Sequence, residues 1–136
     1  LEAAEVTLER VTLLGGMRCR RLWATEALLT RPAFVLDVQA GCFRFGAAPA
    51  GSRLPRPYES HVLQDRRHLF TSRRFGDWGY AQLSATAPPE LRRGAENGSE
   101  IGAYSSLLES IRFDGLRAKL EEYTPFGRLP VLVRET

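Results

Sequence analysis

The sequence has 136 residues, of which 43% are hydrophobic and 26% are charged, and this composition is typical of a single globular domain. No apolar run approaches the roughly 20 residues that span a membrane, and no signal-peptide pattern opens the chain, so we expect no membrane partner. The net charge of +3 comes from arginines spread in pairs along the whole chain. Nucleic-acid binding is therefore disfavoured, because phosphate recognition needs basic residues gathered on one face.

The first third of the chain has the pattern of stacked β-strands. Apolar residues recur there in two series with a constant offset of 16 positions. The series are Val11, Ala27 and Phe43, and Leu13, Leu29 and Phe45. A strand pattern that repeats at a short, fixed interval is typical of a β-solenoid, in which each rung buries its apolar side against the next. We therefore predict short solenoid rungs over residues 4–46, with an antiparallel meander as the alternative.

The stretch VTLERVTLLG stands at the very start of this pattern, and the chain begins at Leu1 rather than at an initiator methionine. We interpret the chain as a processed product or an excised fragment of a longer solenoid. An open first rung would leave an unpaired strand edge. The expected partners are therefore adjacent rungs or domains of the same longer chain or, for the isolated chain, a second copy in a homo-oligomer.

Two cysteines lie in this first third. Cys19 and Cys42 both fall on predicted inward positions of strands, where a free cysteine behaves as a small apolar residue. No pair of cysteines or histidines has the spacing of a zinc site. We therefore predict buried, unpaired thiols.

The composition changes after the predicted rungs. Residues 47–57 (AAPAGSRLPRP) are rich in Pro, Gly, Ala and Ser, which predicts a connector. Residues 58–136 are expected to form a mixed α/β cap with two C-terminal helices. The predicted fold class is therefore mainly β with α, with short β-solenoid-like rungs followed by this cap, all within one domain.

The two helices are predicted from apolar spacing and capping residues. Ser99 is the expected N-cap of the first helix. Its apolar face would comprise Ile101, Tyr104, Leu107 and Leu108. The second helix is predicted over 112–123, with Asp114 as its cap and Pro125 after its end. A short closing strand would follow, and Pro130 would place it at a sheet edge.

Three glycines in the segment RRGAENGSEIGAY are predicted to serve backbone shape and packing rather than phosphate binding. Asn97-Gly98 is a strong turn signal, with a positive φ available at Gly98. Gly102, within the first predicted helix, indicates close approach to another element. Gly94 is assigned the same structural role.

A metal or acid–base cluster is one hypothesis for the middle of the chain. His61, Asp65 and His68 would share one face if their segment were helical, and Glu59 is nearby. The β-like sequence that follows makes a regular helix doubtful. Surface residues with local hydrogen bonds are therefore the favoured interpretation, and the sequence predicts no cofactor.

A pair of carboxylates for glycoside hydrolysis is the other chemical hypothesis. Asp77, Glu96 and Glu100 could supply it, provided that two of them face each other across a cleft at about 5–10 Å. Glu96 and Glu100 also suit the start of a helix, where acidic side chains interact favourably with the helix dipole. No nucleophile elbow or phosphate-binding loop accompanies them.

Long stretches of the chain resemble the C-terminal portion of large uncharacterised bacterial proteins. The matching stretches are VTLERVTLLG, GCFRFGAAPAGSRLPRPY, FTSRRFGDWGYAQLS, RRGAENGSEIGAYSSLLES and LRAKLEEYTPFG. The resemblance implies a preceding right-handed parallel β-helix, a bacterial origin and a phage-tail-like or contractile-injection context, in the cytoplasm or in an exported assembly. It implies no activity. The ending RLPVLVRET departs from the apolar, Gly- or Ala-rich ending of such proteins, so the packing of the last strand is in question.

The functional expectation follows from these observations. We expect a non-catalytic structural or interaction module that terminates a longer β-solenoid protein. The alternative is a carbohydrate-active enzyme domain with paired carboxylates. The feature that separates them is whether two carboxylates share a cleft.

Overall fold

The structure is a computed structural model that describes residues 2–64 and 68–131. Within these residues, nine strands come first, followed by a short helix, a 3-10 helix and a longer helix. The elements are β1 Glu2–Glu9, β2 Thr12–Leu13, β3 Met17–Thr25, β4 Leu28–Leu29, β5 Ala33–Val35, β6 Gly41–Arg44, β7 Ala47–Pro49, β8 Pro57–Tyr58, β9 His61–Leu63, α1 Pro89–Arg92, the 3-10 helix Ser105–Leu107 and α2 Glu109–Tyr123.

The strands form two parallel sheets. The first sheet has the order β1-β3-β6-β8, with β5 also beside β3, and the second has the order β2-β4-β7-β9. Each pass of the chain adds one strand to each sheet, except that the third pass adds two, β5 and β6, to the first sheet, and four passes build a β-solenoid of four rungs. The predicted mainly β solenoid fold is confirmed. Because these strand pairs are all parallel, the antiparallel meander is excluded for them.

The register between rungs is less regular than the sequence pattern predicts. Val6 pairs with Leu22, so the offset of 16 holds between the first two rungs. Leu28, however, pairs with Ala47, an offset of 19. The reason is a loop at 36–40 between β5 and β6, both of which pair with β3. The third rung therefore keeps the 16-residue offset at β5, where Cys19 pairs with Val35, and loses it from β6, so the prediction that Phe43 continues the series is wrong.

The solenoid also extends beyond the predicted range of 4–46. β7 pairs with β9 in register, and β6 pairs with β8. The predicted connector at 47–57 thus contains β7, a bridge from Arg53 to Phe34 and the start of β8. Pro57 fits its strand because it is the first residue of β8, a position where a strand tolerates proline, and Pro49 is the last residue of β7.

Each rung turns from the first sheet into the second through one residue in the left-handed region. The φ angles are 52° at Arg10, 54° at Glu26, 48° at Phe45 and 48° at Glu59. None of the four is glycine, although this conformation is uncommon for other residues. The repeated strand–corner–strand geometry therefore requires the same backbone conformation at four corner residues of three types, Arg, Glu and Phe.

Alternating apolar side chains fill the interior of the solenoid. Leu22, Leu29 and Phe43 are almost completely buried, and Val6 packs against the same core from the first rung. Burying each of these side chains contributes about 1.5–3 kcal/mol. The sequence of β3 agrees with this packing, because buried and exposed residues alternate along each half of the strand, with one interruption at Arg20-Arg21.

The cap covers the second sheet. Leu28, Ala47 and Leu63, on the second sheet, share one apolar core with residues of the segment after the solenoid. The cap residues in this core are Leu69, Phe70, Leu83, Ala87, Leu91 and Ile101. The cap is therefore held against a flank of the solenoid by side chains from three of its four rungs.

One of the two predicted cap helices is confirmed, because α2 contains the predicted range 112–123 and ends at Tyr123, before Pro125. The other differs from the prediction. Residues 99–104 form turns, so Ser99 is not a helix N-cap, and Gly102 with φ of 118° interrupts the expected helix. Asp114 lies inside α2 and forms ion pairs with Arg92 and Arg93 instead of capping it. The expected first helix is wrong: of its predicted apolar face Ile101 is buried in the core shared with the solenoid, whereas Leu107 and Leu108 are exposed.

Helix α2 and the segment after it expose large apolar side chains. Leu116, Tyr123 and Phe126 are all exposed to solvent. Residues 128–131 do not form a strand, and the rest of the predicted closing strand lies outside the described residues. Among the described helices, none has the length and apolar character needed to cross a membrane.

Candidate functional site

The hypothetical metal cluster, which the sequence did not favour, does not assemble in the described part of the chain. His61 is half-buried in β9, and His68 is exposed with φ of 58°. Asp65 lies outside the described residues. Because His61 is on a strand, the helical spacing that would align these residues is absent. Within residues 2–64 and 68–131, no group of three or more His, Cys, Asp or Glu could hold a metal ion.

The three candidate carboxylates are placed by different segments. Asp77 is exposed and accepts a hydrogen bond from the Ser72 hydroxyl at 2.9 Å. Glu96 is exposed. Its backbone N–H donates a hydrogen bond to the carboxylate of Glu26 at 3.1 Å. Glu100 is buried, with 4% of its surface exposed. Since Glu100 is shielded from solvent, it is poorly placed to act on a polysaccharide.

Two of the three predicted structural glycines, Gly94 and Gly102, lie where the cap meets the solenoid. A Cβ at Gly94 would collide with the carbonyl oxygen of Glu90. Gly98 has φ of 74° in open space, and a Cβ at Gly102 would lie 2.5 Å from the Thr12 hydroxyl oxygen. Pro125 and Pro130 both follow α2.

Sequence analysis missed a buried carboxylate at this junction. Glu26 is only 2% exposed and accepts three hydrogen bonds. These come from the Arg10 Nε at 2.9 Å, the Ser105 hydroxyl at 2.8 Å and the Glu96 N–H at 3.1 Å. A signal was present, because Glu26 is the one charged residue in the otherwise apolar or small stretch WATEALLT. Charged residues are seldom fully buried unless they are paired.

The pKa of Glu26 reflects opposing causes. Burial raises the pKa, but the hydrogen bonds from Ser105, Arg10 and the Glu96 N–H, together with the charge of Arg10, outweigh it. The net result is a pKa below the usual value of 4.5. Glu26 is therefore ionised at neutral pH, and its hydrogen bonds to Ser105 and Glu96 link the second rung to the cap.

Two buried serines, Ser99 and Ser105, are also part of this junction. The Ser99 hydroxyl contacts Asn97 Oδ1 at 2.6 Å and the Ser105 carbonyl at 2.8 Å, and both serines are completely buried. A serine without solvent access cannot act as a nucleophile on an external substrate. The segment ENGSEIGAYSS therefore has a structural role in the described geometry.

The outer face of the first sheet is the second feature that sequence analysis missed. Thr7, Trp23 and Cys42 form one cross-rung row, because each pairs with the next in register. Cys42 therefore points outward and is half-buried, so its predicted inward position is wrong. The adjacent Phe43 takes the inward position and buries far more apolar surface. Cys19 is buried as predicted, and both thiols are unpaired.

An aromatic–arginine cluster lies on the same face, around Arg44, which is two residues after Cys42 along β6. The Arg44 guanidinium carbon lies 5.7 Å from the centre of the Phe45 ring and 5.9 Å from that of Tyr58. The two rings meet edge to face, with 5.7 Å between their centres. Cation–π contacts of this kind orient the guanidinium without neutralising its charge.

This cluster opens into a shallow depression of about 520 Å³. The lining residues are Gly41, Cys42, Arg44, Phe45, Arg56, Tyr58 and Glu96. Trp23, which is 37% exposed, adjoins the depression because its strand partner is Cys42. We call this surface the Arg44 depression. It presents two guanidiniums, a carboxylate and exposed aromatic rings.

The arginines of the solenoid differ in how their charge is used. Arg21 lies between Glu5 and Asp37, at 3.1 Å from each, and so forms a ladder of alternating charge across the rungs. Arg44 and Arg56 form no ion pair with any described residue. Two cations of the Arg44 depression are therefore available to an external anion.

The fold defines the chain as a β-solenoid protein with a cap on one flank. Comparison with known proteins gives no matching family model, no matching curated protein and no matching solved structure.

Proposed function

We propose that this chain is a non-catalytic structural or interaction module that ends a longer β-solenoid. The observation that carries the proposal is the unequal length of the two edges of the first sheet. β1 has 8 residues and β3 has 9, whereas β6 has 4 and β8 has 2. Among the described residues β1 pairs only with β3, so its other edge is open. A long, regular open edge suits the addition of another strand, whereas a short edge that contains proline opposes it.

The charge ladder supports the same direction of growth. Glu5, Arg21 and Asp37 alternate in sign across successive rungs. Glu5 is exposed at the open edge, where a further rung would favourably place a basic side chain. The partners that we propose are therefore further rungs or domains of the same longer chain, and a second copy when the chain is isolated.

The resemblance to bacterial proteins with a β-helix adds a context to this proposal. We infer that the longer protein belongs to a phage-tail-like or contractile-injection assembly. Stacked rungs suit such an assembly because each rung contacts only its neighbours and the stack can lengthen without changing its cross-section.

Association through the β1 edge is the first test. The Arg10 N–H donates to the Thr25 carbonyl at 3.0 Å, on the β3 side. Since backbone groups of a parallel strand point alternately to its two sides, the Thr7 N–H points to the open edge. We expect light scattering to show an average mass that rises with protein concentration. Thr7→Pro, which removes this donor, should restore the monomer mass.

Thr7→Ala is the matched control, because it changes the side chain and keeps the N–H. It should associate like the wild type. Hydrogen exchange of the Thr7 and Glu9 amides provides a second measurement if Thr7→Pro folds poorly, and these amides should become protected as concentration rises. A monomer at every concentration with an ordered β1 would contradict the proposal, as would association that survives Thr7→Pro.

Catalysis is tested separately with a panel of polysaccharides. We expect no cleavage by the wild-type chain. The variants Asp77→Ala, Glu96→Ala and Glu100→Ala complete the test. If the wild type cleaves a polysaccharide and one of these substitutions abolishes the cleavage, the carbohydrate-active enzyme becomes the better assignment.

A further inference from the structure

We propose that the Arg44 depression binds an acidic oligosaccharide, one whose sugar units carry carboxylate or sulfate groups. This proposal goes beyond the stacking function, because the depression lies on the outer face of the first sheet and not at the β1 edge. Three properties of the surface carry it: exposed aromatic rings on one face, arginines without an internal counter-ion, and one carboxylate among them.

The aromatic rings suit sugars. Trp23 and Tyr58 are 37% and 56% exposed, and they occur on the same face in the second and fourth rungs. Two inter-strand steps separate these rungs, which corresponds to roughly 10 Å. The apolar C–H face of a sugar ring packs on an aromatic ring, and a chain of a few sugars can reach both rings.

The arginines supply the preference for an acidic ligand. Arg44 is held by two rings, and Arg56 projects from the neighbouring rung into the same depression. Neither guanidinium is neutralised by a described carboxylate. A guanidinium can donate two parallel hydrogen bonds to a carboxylate or sulfate, which makes it a good partner for such a group.

Glu96 distinguishes a saccharide from a densely charged polymer. Its exposed side chain lines the depression together with the two arginines. A carboxylate accepts hydrogen bonds from sugar hydroxyls, but it repels a ligand with closely spaced anions. Hydroxyls and spaced acidic groups are both present on an acidic oligosaccharide, whereas an acidic peptide lacks the hydroxyls.

The binding experiment uses the 136-residue chain and four probes. These are an oligogalacturonate, its methyl ester, a galactan oligosaccharide with one sulfate group for every two sugar units, and polyglutamate. We expect saturable calorimetric binding of at least one of the two acidic saccharides, and the two arms distinguish carboxylate from sulfate. The neutral ester and polyglutamate should each bind about tenfold more weakly or worse.

Variants locate the binding on the outer face. Trp23→Ala and Arg44→Gln should each weaken binding about tenfold, whereas Arg112→Gln, an exposed arginine of α2, should leave it unchanged. In a Trp78→Phe background, ligand should change the fluorescence of Trp23. Arg56→Gln replaces either variant if that variant does not fold.

Several outcomes would overturn the proposal. Absence of binding to both acidic saccharides is one, and equal binding of the methyl ester is another. Equal binding of polyglutamate would show a general anion surface or a peptide site. An effect of Arg112→Gln as large as that of Arg44→Gln would place the site elsewhere. None of these results depends on whether the chain associates through β1.

Discussion

The hydroxyl of Ser105 donates a hydrogen bond to the carboxylate of Glu26 at 2.8 Å, although the two residues are 79 positions apart in the chain. Glu26 turns the second rung from one sheet to the other, and Ser105 begins the 3-10 helix of the cap. Both residues are buried. This contact joins cap and solenoid where water cannot replace either partner.

Removal of the carboxylate should therefore destabilise the protein. Glu26→Ala would leave the buried Ser105 hydroxyl and the Glu96 N–H without their acceptor. We expect the free energy of unfolding to fall by roughly 2–4 kcal/mol in urea titrations at pH 7. Glu5→Ala is the control, because the exposed pair of Glu5 with Arg21 should contribute about 0–1 kcal/mol. If both variants lose the same free energy of unfolding, the buried junction contributes no more to stability than the exposed ion pair does.

Acid should weaken the same junction. The folded-state pKa of Glu26 lies below its usual value of 4.5, because the hydrogen bonds it accepts outweigh the effect of burial. The unfolded chain therefore takes up a proton on Glu26 more readily than the folded chain does. Its contribution is complete above pH 4.5 and is lost as the pH falls through the folded-state pKa. Urea midpoints measured from pH 7 down to pH 3 should decline in this acidic range.

Glu26→Gln identifies the part of this decline that belongs to Glu26. Glutamine does not titrate, so the variant should be less stable at pH 7 and its stability should depend less on pH below 4.5. Asp37 and Asp114, whose pKa values are also lowered by hydrogen bonds from Arg21 and Arg93 respectively, remain in both proteins. Parallel pH profiles for variant and wild type would contradict the assignment to Glu26.

The left-handed corner of the fourth rung offers a stabilising change. Glu59 has φ of 48°, is exposed, and makes no hydrogen bond or ion pair with another described side chain. Glu59→Gly should raise the free energy of unfolding by about 0.5–1 kcal/mol, because glycine adopts this φ without strain. Glu59→Ala removes the same side chain but keeps the strain, so it should not stabilise. If both variants have the same stability, backbone strain at this corner is negligible.

The sequence was informative where the pattern was local. The offset of 16 paired the first two rungs correctly, because strand alternation in β1 and β3 depends only on neighbouring residues. The prediction from this offset failed at the loop 36–40, where Leu36 and Val38 continue an alternation that is typical of a strand. In the structure Leu36 is 54% exposed, while Val35 beside it is buried. The inserted residues shift the register, and no local property of the sequence marks the shift.

The candidate site was harder to predict because it depends on contacts between rungs. Arg44 and Tyr58 become neighbours only through an offset of 14 positions, which differs from the offset between the first rungs. Glu26 meets its partners in the cap across 70 and 79 positions. Residue type could mark Glu26 as unusual within an apolar stretch, but it could not identify which donors satisfy it.

Gly102 provides the most direct test of how the cap meets the solenoid. It has φ of 118°, and an added Cβ would lie 2.5 Å from Thr12 Oγ1 and 3.4 Å from Leu28 Cβ. Thr12 cannot easily move, because its hydroxyl oxygen also accepts the Ala103 N–H at 3.0 Å. Gly102→Ala should therefore lower the free energy of unfolding by about 2–4 kcal/mol, through both backbone strain and overpacking.

Two other glycines separate these causes in the same urea titration. Gly98 has φ of 74° and nothing within 4 Å of an added Cβ, so Gly98→Ala tests strain alone and should lose about 1–2 kcal/mol. Gly115 lies within α2 with open space around it, so Gly115→Ala should gain about 0.5–1 kcal/mol. The expected order of stability is Gly115→Ala, wild type, Gly98→Ala and Gly102→Ala. If Gly102→Ala loses no more than Gly98→Ala, the cap can shift away from Thr12 and the close approach at Gly102 does not fix its position.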